Sequence, residues 1–253
     1  MSGPETFPAA PTADRAAWLR SLRQVSERQE DALSPVFDAQ RGEIEDTHRA
    51  LVGRFLSMLP PGGRVLDAAC GTGKYFPMVL AGGRSLLGVD HSAGLLAQAL
   101  ARFADVPVDK RDLQDLPYRE EFDGVMCVDA MEMVPPEDWP GVLDGFRRAL
   151  RPGGWLYLTV ELAPEDRVGA RNEEARRSGL PVVEGEVIWD DEPEGYYHHH
   201  PTMGRVRAWV ADAGFAIVED VEGPWHAADH AYHHLLSRAE AEEVHVVREV
   251  ESA

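Results

Sequence analysis

The 253-residue chain carries 25 Lys and Arg against 44 Asp and Glu, a formal charge of −19 at pH 7, with 44% hydrophobic and 27% charged residues. That composition predicts a soluble globular protein of one large α/β domain or a domain with an accessory segment. So acidic a surface repels phosphate backbones and anionic lipid, so a small-molecule partner is expected rather than nucleic acid or membrane.

No stretch reaches the roughly 18 consecutive apolar residues of a membrane span. Residues 1–6 lack the basic and then apolar regions of a secretion signal, and a cytoplasmic location is expected. Cys70 and Cys127 fall in apolar stretches without metal-type spacing and read as reduced core thiols.

Residues 1–12, rich in Pro, Ala and Ser, read as a disordered tail. Ala13 to Leu33 carries Ala17, Trp18, Leu22 and Val25 at helical spacing, and a second helix is predicted from about Glu43 to Leu59, stopped by Pro60-Pro61-Gly62-Gly63. Strands follow at Arg64–Asp67, Ser85–Asp90 and Phe122–Asp129, each ending in an acid. A helix between them starts at the N-cap Ser92. The tight turn Arg151-Pro152-Gly153-Gly154 leads into a further strand, Trp155–Glu161. Strands separated by helices imply a parallel, doubly wound Rossmann-like sheet with helices on both faces. Leu162 to about Pro201 breaks this grammar and reads as an inserted lid. A helix capped by Thr202 and two strands, Phe215–Val221 and Tyr232–Arg238, close the sheet as an antiparallel hairpin at its edge. The predicted organisation is a tail and helical cover (1–60), a cofactor-binding core (61–161), a lid (162–201) and the remaining core (202–253). No internal repeat is present.

The segment Val65 to Lys74, with Asp67, Ala68, Cys70, Gly71, Thr72 and Gly73, takes a strand through a Gly-rich turn toward a helix. A dinucleotide fingerprint requires Gly where Phe76 stands, and a P-loop requires Gly at Ala68 and Ser or Thr at Tyr75. Both fail. Asp67 at the strand end disfavours a pyrophosphate and suits an ammonium or sulfonium group. Asp90, at the end of the next strand, suits ribose hydroxyls. Together these select an adenosyl ligand.

With these elements the sequence resembles the small-molecule branch of the class I S-adenosylmethionine-dependent methyltransferases, from about Gly62 to Glu161 and weakly to Arg238. The resemblance implies a seven-stranded sheet with an antiparallel last strand, and S-adenosyl-L-methionine as cofactor, leaving as S-adenosyl-L-homocysteine. It implies that Asp67 to Gly73 hold the methionine part, Asp90 the ribose, and Asp112-Leu113 the adenine. The strand ending in Asp129, with Ala130-Met131-Glu132, covers the cofactor near the transferred methyl. His91 follows Asp90 where it can stack near the adenine, and Phe37 lies where relatives carry an aromatic residue over the cofactor. Lys74 reads as an exposed side chain at a helix start.

The implied reaction is in-line displacement at the sulfonium methyl, with a general base required for a hydroxyl or carbon acid and less so for a neutral amine. Candidate catalytic side chains are Glu132 just after the fourth strand, Tyr197 and His198 of Tyr196–His200 at the end of the lid, and His233 of Tyr232-His233-His234 at the start of the last strand. Alternation allows only one of His233 and His234 to face inward. His48 is a weaker candidate, and Trp18, Trp139, Trp189, Trp209 and Trp225 read as packing residues. The spacings His226-x-x-x-His230 and His230-x-x-His233 raise a metal site, but no Cys or clear carboxylate accompanies them, so a polar His/Tyr pocket is the preferred reading and no metal ligand is assigned. The resulting expectation is a methyltransferase acting on N or O, less readily C, of a small molecule, with bacterial specialised metabolism implied by the resemblance alone. A protein or peptide side-chain methyltransferase and a non-catalytic cofactor-binding protein are the alternatives; a nicotinamide oxidoreductase lacks its third glycine.

Overall fold

Asp14 starts the first helix, α1 (Arg15–Leu33), by accepting the Ala17 amide at 3.0 Å. The computed structural model describes residues 14–189, 196–224 and 231–240. The predicted tail, Trp225, His226, His230 and His245 lie outside the described residues. α1 buries Trp18, Leu22 and Val25, and the same stripe continues into Gln29 and Glu30. Short α2 (Phe37–Arg41) and α3 (Asp46–Met58) complete the N-terminal helices.

Strand and helix then alternate: β1 (Arg64–Ala68), α4 (Phe76–Ala81), β2 (Ser85–Asp90), α5 (Ala93–Arg102), β3 (Val108–Lys110), β4 (Phe122–Cys127), α6 (Trp139–Ala149) and β5 (Leu150–Leu162). Successive β1 residues serve opposite faces. Val65 belongs to one core cluster with Phe55, Phe76 and Met126, whereas Leu66 belongs to the other with Leu143, Phe146 and Val210. Burial on both faces is why these strands read as apolar runs.

Residues 163–189 and 196–200 hold α7 (Glu165–Arg177) and the antiparallel pair β6 (Glu186–Trp189) and β7 (Tyr196–His199). Then come α8 (Met203–Asp212), whose N-cap Thr202 accepts the Arg205 amide, β8 (Phe215–Pro224) and β9 (Ala231–Ala239). The sheet order is β3-β2-β1-β4-β5-β9-β8; β1 to β5 pair in parallel and β9 runs antiparallel to both β5 and β8. The hairpin is as expected, with β8 at the edge and β9 inside. One local reading is corrected. Arg151–Gly154 is no turn preceding the strand but a loop-out within β5, since Leu150 already pairs with Phe122 and pairing resumes at Trp155 with Gly124.

Two tethers fix the N-terminal helices. Asp31 on α1 accepts from Ser92 Oγ (2.6 Å) and the Gly94 amide (2.8 Å) at the start of α5. Arg15 grips Glu186 of β6 through two hydrogen bonds of 2.9 and 2.8 Å. Among the described residues no helix is long and apolar enough to cross a membrane.

Gly88 shows how tightly β2 is packed, because a Cβ there would lie 2.6 Å from Phe76 Cζ and 2.8 Å from Cys70 Sγ, both buried. Gly88→Val is expected to cost about 1–3 kcal/mol through overpacking, read as a lowered urea midpoint. An unchanged midpoint would show that this wall yields.

Candidate active site

Reversal of strand order between β1 and β4 opens a crevice at the carboxyl ends of the strands, where ligands of such sheets bind. Here it is a cavity of about 780 Å³ walled by these strand ends, α1, and the β6–β7 pair. After β1 the backbone is left-handed at Ala69 (φ 64°), Gly71 (53°) and Gly73 (80°). Glycine at 73 answers both conformation and space, since a Cβ would lie 2.7 Å from the Phe76 ring. At Gly71 the absent side chain leaves backbone open toward Phe37, whose ring a Cβ would meet only at 3.8 Å.

The turn is locked to β2 by charge. Asp90 accepts from the Gly71 amide (2.9 Å) and the Ser92 amide (2.8 Å), and burial raises its pKa. Asp67 lies deeper, 1% exposed, and its Oδ2 is buried with no hydrogen bond. Burial, seconded by repulsion from Asp90, pushes it up to about 7. Glu30 descends from α1 with its pKa raised by burial against the pull of Arg41. Among the described residues the wall holds eight carboxyl side chains and five of Lys or Arg. An orphaned buried carboxylate oxygen in a net-negative wall, beside a turn open to close backbone approach, fits an adenosyl sulfonium with an ammonium group.

Of the residues predicted for the cofactor, Phe37, Gly71, Asp90, His91, Asp112, Leu113 and Asp129 line the cavity. Asp67, Ala68 and Gly73 stand behind its surface: Ala68 is in the core beside Leu66, and Gly73 packs on Phe76. Asp129 is held left-handed (φ 57°), donates its amide to Thr159 Oγ1 (2.8 Å) and accepts from the Tyr232 hydroxyl. Lys74, expected to be exposed, is half-buried in the wall, with its pKa lowered by burial against Asp129 and Glu45.

Among the catalytic candidates, Glu132 and His198 reach the cavity. Glu132 is 4% exposed, and burial, then Asp129 and Glu161, raise its pKa well above the ordinary value. Two candidates are corrected. Tyr197 contributes its ring, but its hydroxyl donates to Glu186 Oε1 at 2.6 Å within the Arg15 clamp. His233 is on the other face of β9, its Nδ1 2.8 Å from Asp220 Oδ1 with Arg207 on the same carboxylate. Its neighbour Tyr232 takes the cavity side, and His234 is buried against the Tyr157 hydroxyl at 2.9 Å. Strand alternation does not bring the imidazole at 233 to the site.

Sequence reasoning missed Glu30, Tyr75, Arg111 and Glu161 in the wall and gave His48, which also lines it, little weight, while Tyr232 of the Tyr232-His233-His234 candidate cluster lines it. For Glu30 a signal existed, because polar residues 29 and 30 continue an apolar helical stripe onto the buried face. For Glu161 it was the position: an acid at the carboxyl end of a parallel strand, like Asp90.

Comparison with known proteins agrees with this geometry. Residues 65–154 match the family described as methyltransferase domain. The ubiquinone biosynthesis O-methyltransferase of Xanthomonas campestris pv. campestris is 30% identical over 182 residues, 65% of this chain and 69% of that protein. Demethylmenaquinone methyltransferase of Mycobacterium sp. is 32% identical over 158 residues, 62% of this chain and 65% of that protein. In structure, the Burkholderia thailandensis 1,6-didemethyltoxoflavin-N1-methyltransferase, solved with 1,6-didemethyltoxoflavin and S-adenosylhomocysteine, matches with a TM-score of 0.60 at 16% identity, over 91% of this chain and 92% of that chain. That last likeness concerns the fold alone. Motif, sheet order and relatives converge: the chain belongs to the class I S-adenosylmethionine-dependent methyltransferases.

Proposed function

We propose that this enzyme methylates an oxygen or nitrogen of a small-molecule acceptor, in the cytoplasm, inside a cavity covered by the N-terminal helices and by segment 163–200 acting as a lid. The observation that carries this reading is the cavity itself, whose 780 Å³ falls within the about 300–1,000 Å³ of small-ligand sites. The named relatives that act on quinone precursors, and the fold neighbour solved with a small heterocycle, support it.

When bound, S-adenosylmethionine supplies an electrophilic methyl on a cationic sulfur. Asp67 and the Ala68–Gly73 turn are proposed to hold its amino-acid part, Asp90 the ribose, and His91, Asp112 and Leu113 the adenine. Phe37 and Asp129 cover it. Glu132 and His198 face the acceptor and hold its polar atoms; burial, seconded by Asp129 and Glu161, raises the Glu132 pKa and so favours the protonated carboxyl, which can donate a hydrogen bond. Burial under α1 and β7 excludes water and fixes the line of attack.

Titration calorimetry with S-adenosylhomocysteine, with NADH as control, tests the cofactor half. Micromolar or tighter binding of the first alone, about 8 kcal/mol or more, is expected. Glu132→Ala should leave that affinity unchanged and lower kcat about 100-fold once an acceptor is found by mass-spectrometric screening. Unchanged kcat removes Glu132 from the acceptor site, and cofactor binding without methylation of any small molecule would favour a sensor or a peptide methyltransferase.

Asp67 makes the same titration pH-dependent. A cation beside it favours the ionised carboxylate, so binding releases the proton that the free protein holds up to about pH 7. Affinity should therefore rise with pH and level off above 7, falling about tenfold per pH unit below it. In the free protein the sign is opposite. The folded chain keeps a proton that the unfolded chain releases, so wild-type stability should fall relative to Asp67→Asn as pH climbs from 3.8 to about 7. An identical pH slope of binding in Asp67→Asn would remove Asp67 from the cofactor contact.

A further inference from the structure

We propose that Glu161, His198 and His200 form a binding site for one divalent transition-metal ion on the acceptor side of the cavity. The ligand atoms of the three side chains all lie within 4.8 Å of one another. Atoms bonded to one ion at about 2.0–2.2 Å sit roughly 3–4 Å apart, so small side-chain rotations close the set. The backbone dictates the juxtaposition. Glu161 is the last residue but one of β5, and His198 and His200, two apart along β7 and its end, leave the same face with rings 5.6 Å apart. His199 between them goes the other way, against Trp139 and Trp209. The His200 amide, bonded to Gly185 O at 2.8 Å, holds the strand end in place.

His198 Nδ1 is 3.1 Å from Glu161 Oε2, buried, and makes no hydrogen bond. A buried imidazole nitrogen and a carboxylate oxygen at that distance either pair through a proton on the imidazole or share a cation. Two imidazoles and one carboxylate suit iron(II), manganese, cobalt or zinc, whereas magnesium and calcium take oxygen ligands. Three protein ligands leave coordination positions free, and Glu161 and His198 line the cavity, so those positions look toward the acceptor.

This extends the methyl-transfer reading, on which it rests only for what the ion would hold. Coordination lowers the pKa of a bound hydroxyl, which selects a phenolic or enolic acceptor over an amine. The hydroxyl proton leaves to solvent, and the oxygen lone pair forms the O–C bond as the S–C bond breaks. The histidines singled out by sequence spacing were others: of His226, His230 and His233, only His233 is described, paired with Asp220.

The test is titration of the chelator-stripped full chain with cobalt(II) alone, followed by visible absorption and calorimetry, beside a separate titration with S-adenosylhomocysteine. Wild type should bind about one equivalent of cobalt. Glu161→Gln, His200→Ala and the milder His200→Asn should each lose about 100-fold or more in cobalt affinity, while binding S-adenosylhomocysteine as wild type does, which also reports that they fold. The double variant His226→Ala/His230→Ala should keep the cobalt site. No cobalt uptake by wild type, wild-type affinity in the Glu161 and His200 variants, or loss of the site in the His226/His230 variant overturns the proposal. Cobalt binding without S-adenosylhomocysteine binding would leave the metal site standing and sink the methyl-transfer reading; the reverse pattern separates them the other way.

Discussion

Two carboxyl groups buried side by side, Asp67 and Asp90, set the terms for the rest of the molecule. Neighbouring anions removed from water cannot both ionise without a counter-charge, and here Asp67 lies just behind the cavity wall with a buried oxygen that makes no hydrogen bond. The parallel sheet creates the problem by ending β1 and β2 in acids at the point where strand order reverses. The left-handed turn answers half of it, because Gly71 in that turn donates its amide to Asp90. The other half is left to a cationic ligand, which is why a sulfonium cofactor suits a site that would reject a pyrophosphate.

Burial makes these charges potent, and burial comes from the N-terminal helices. Asp31 draws α1 onto the start of α5, while Arg15 at its other end reaches Glu186, itself fully buried, so one helix joins the core to segment 163–200. With the cavity so covered, electrostatic interactions inside act in a lower effective dielectric than at the surface. Glu30, carried in by the same helix, adds a further carboxyl beside Asp90 and His91. The cover therefore shapes the cavity's potential as well as its volume.

What was legible in the sequence was local. Strand-to-helix grammar, the Ser92 and Thr202 caps, the Gly-rich turn and the acids at 67, 90 and 112 are each decided within a few residues. The direction of the Tyr197 hydroxyl was not legible, because it is claimed by Glu186, whose position depends on an arginine 171 residues away. The Arg151–Gly154 stretch reads as a turn by composition, yet the pairing of Leu150 with Phe122 absorbs it into a strand.

The same contrast divides the cavity. The part beside β1 and β2 is built from the ends of neighbouring parallel strands and their own turns, so a motif can announce it. The part beside β5 and β9 is built by register. The antiparallel insertion of β9 beside β5 sets Tyr232 opposite Glu161, and that pairing aims the tyrosine hydroxyl at Asp129 while turning His233 out to Asp220. A slip of one residue would exchange the two side chains and put an imidazole where the phenol stands. Nothing in the order Tyr232-His233-His234 distinguishes those outcomes; they are decided by the partner strand, and so is the chemistry offered to the acceptor.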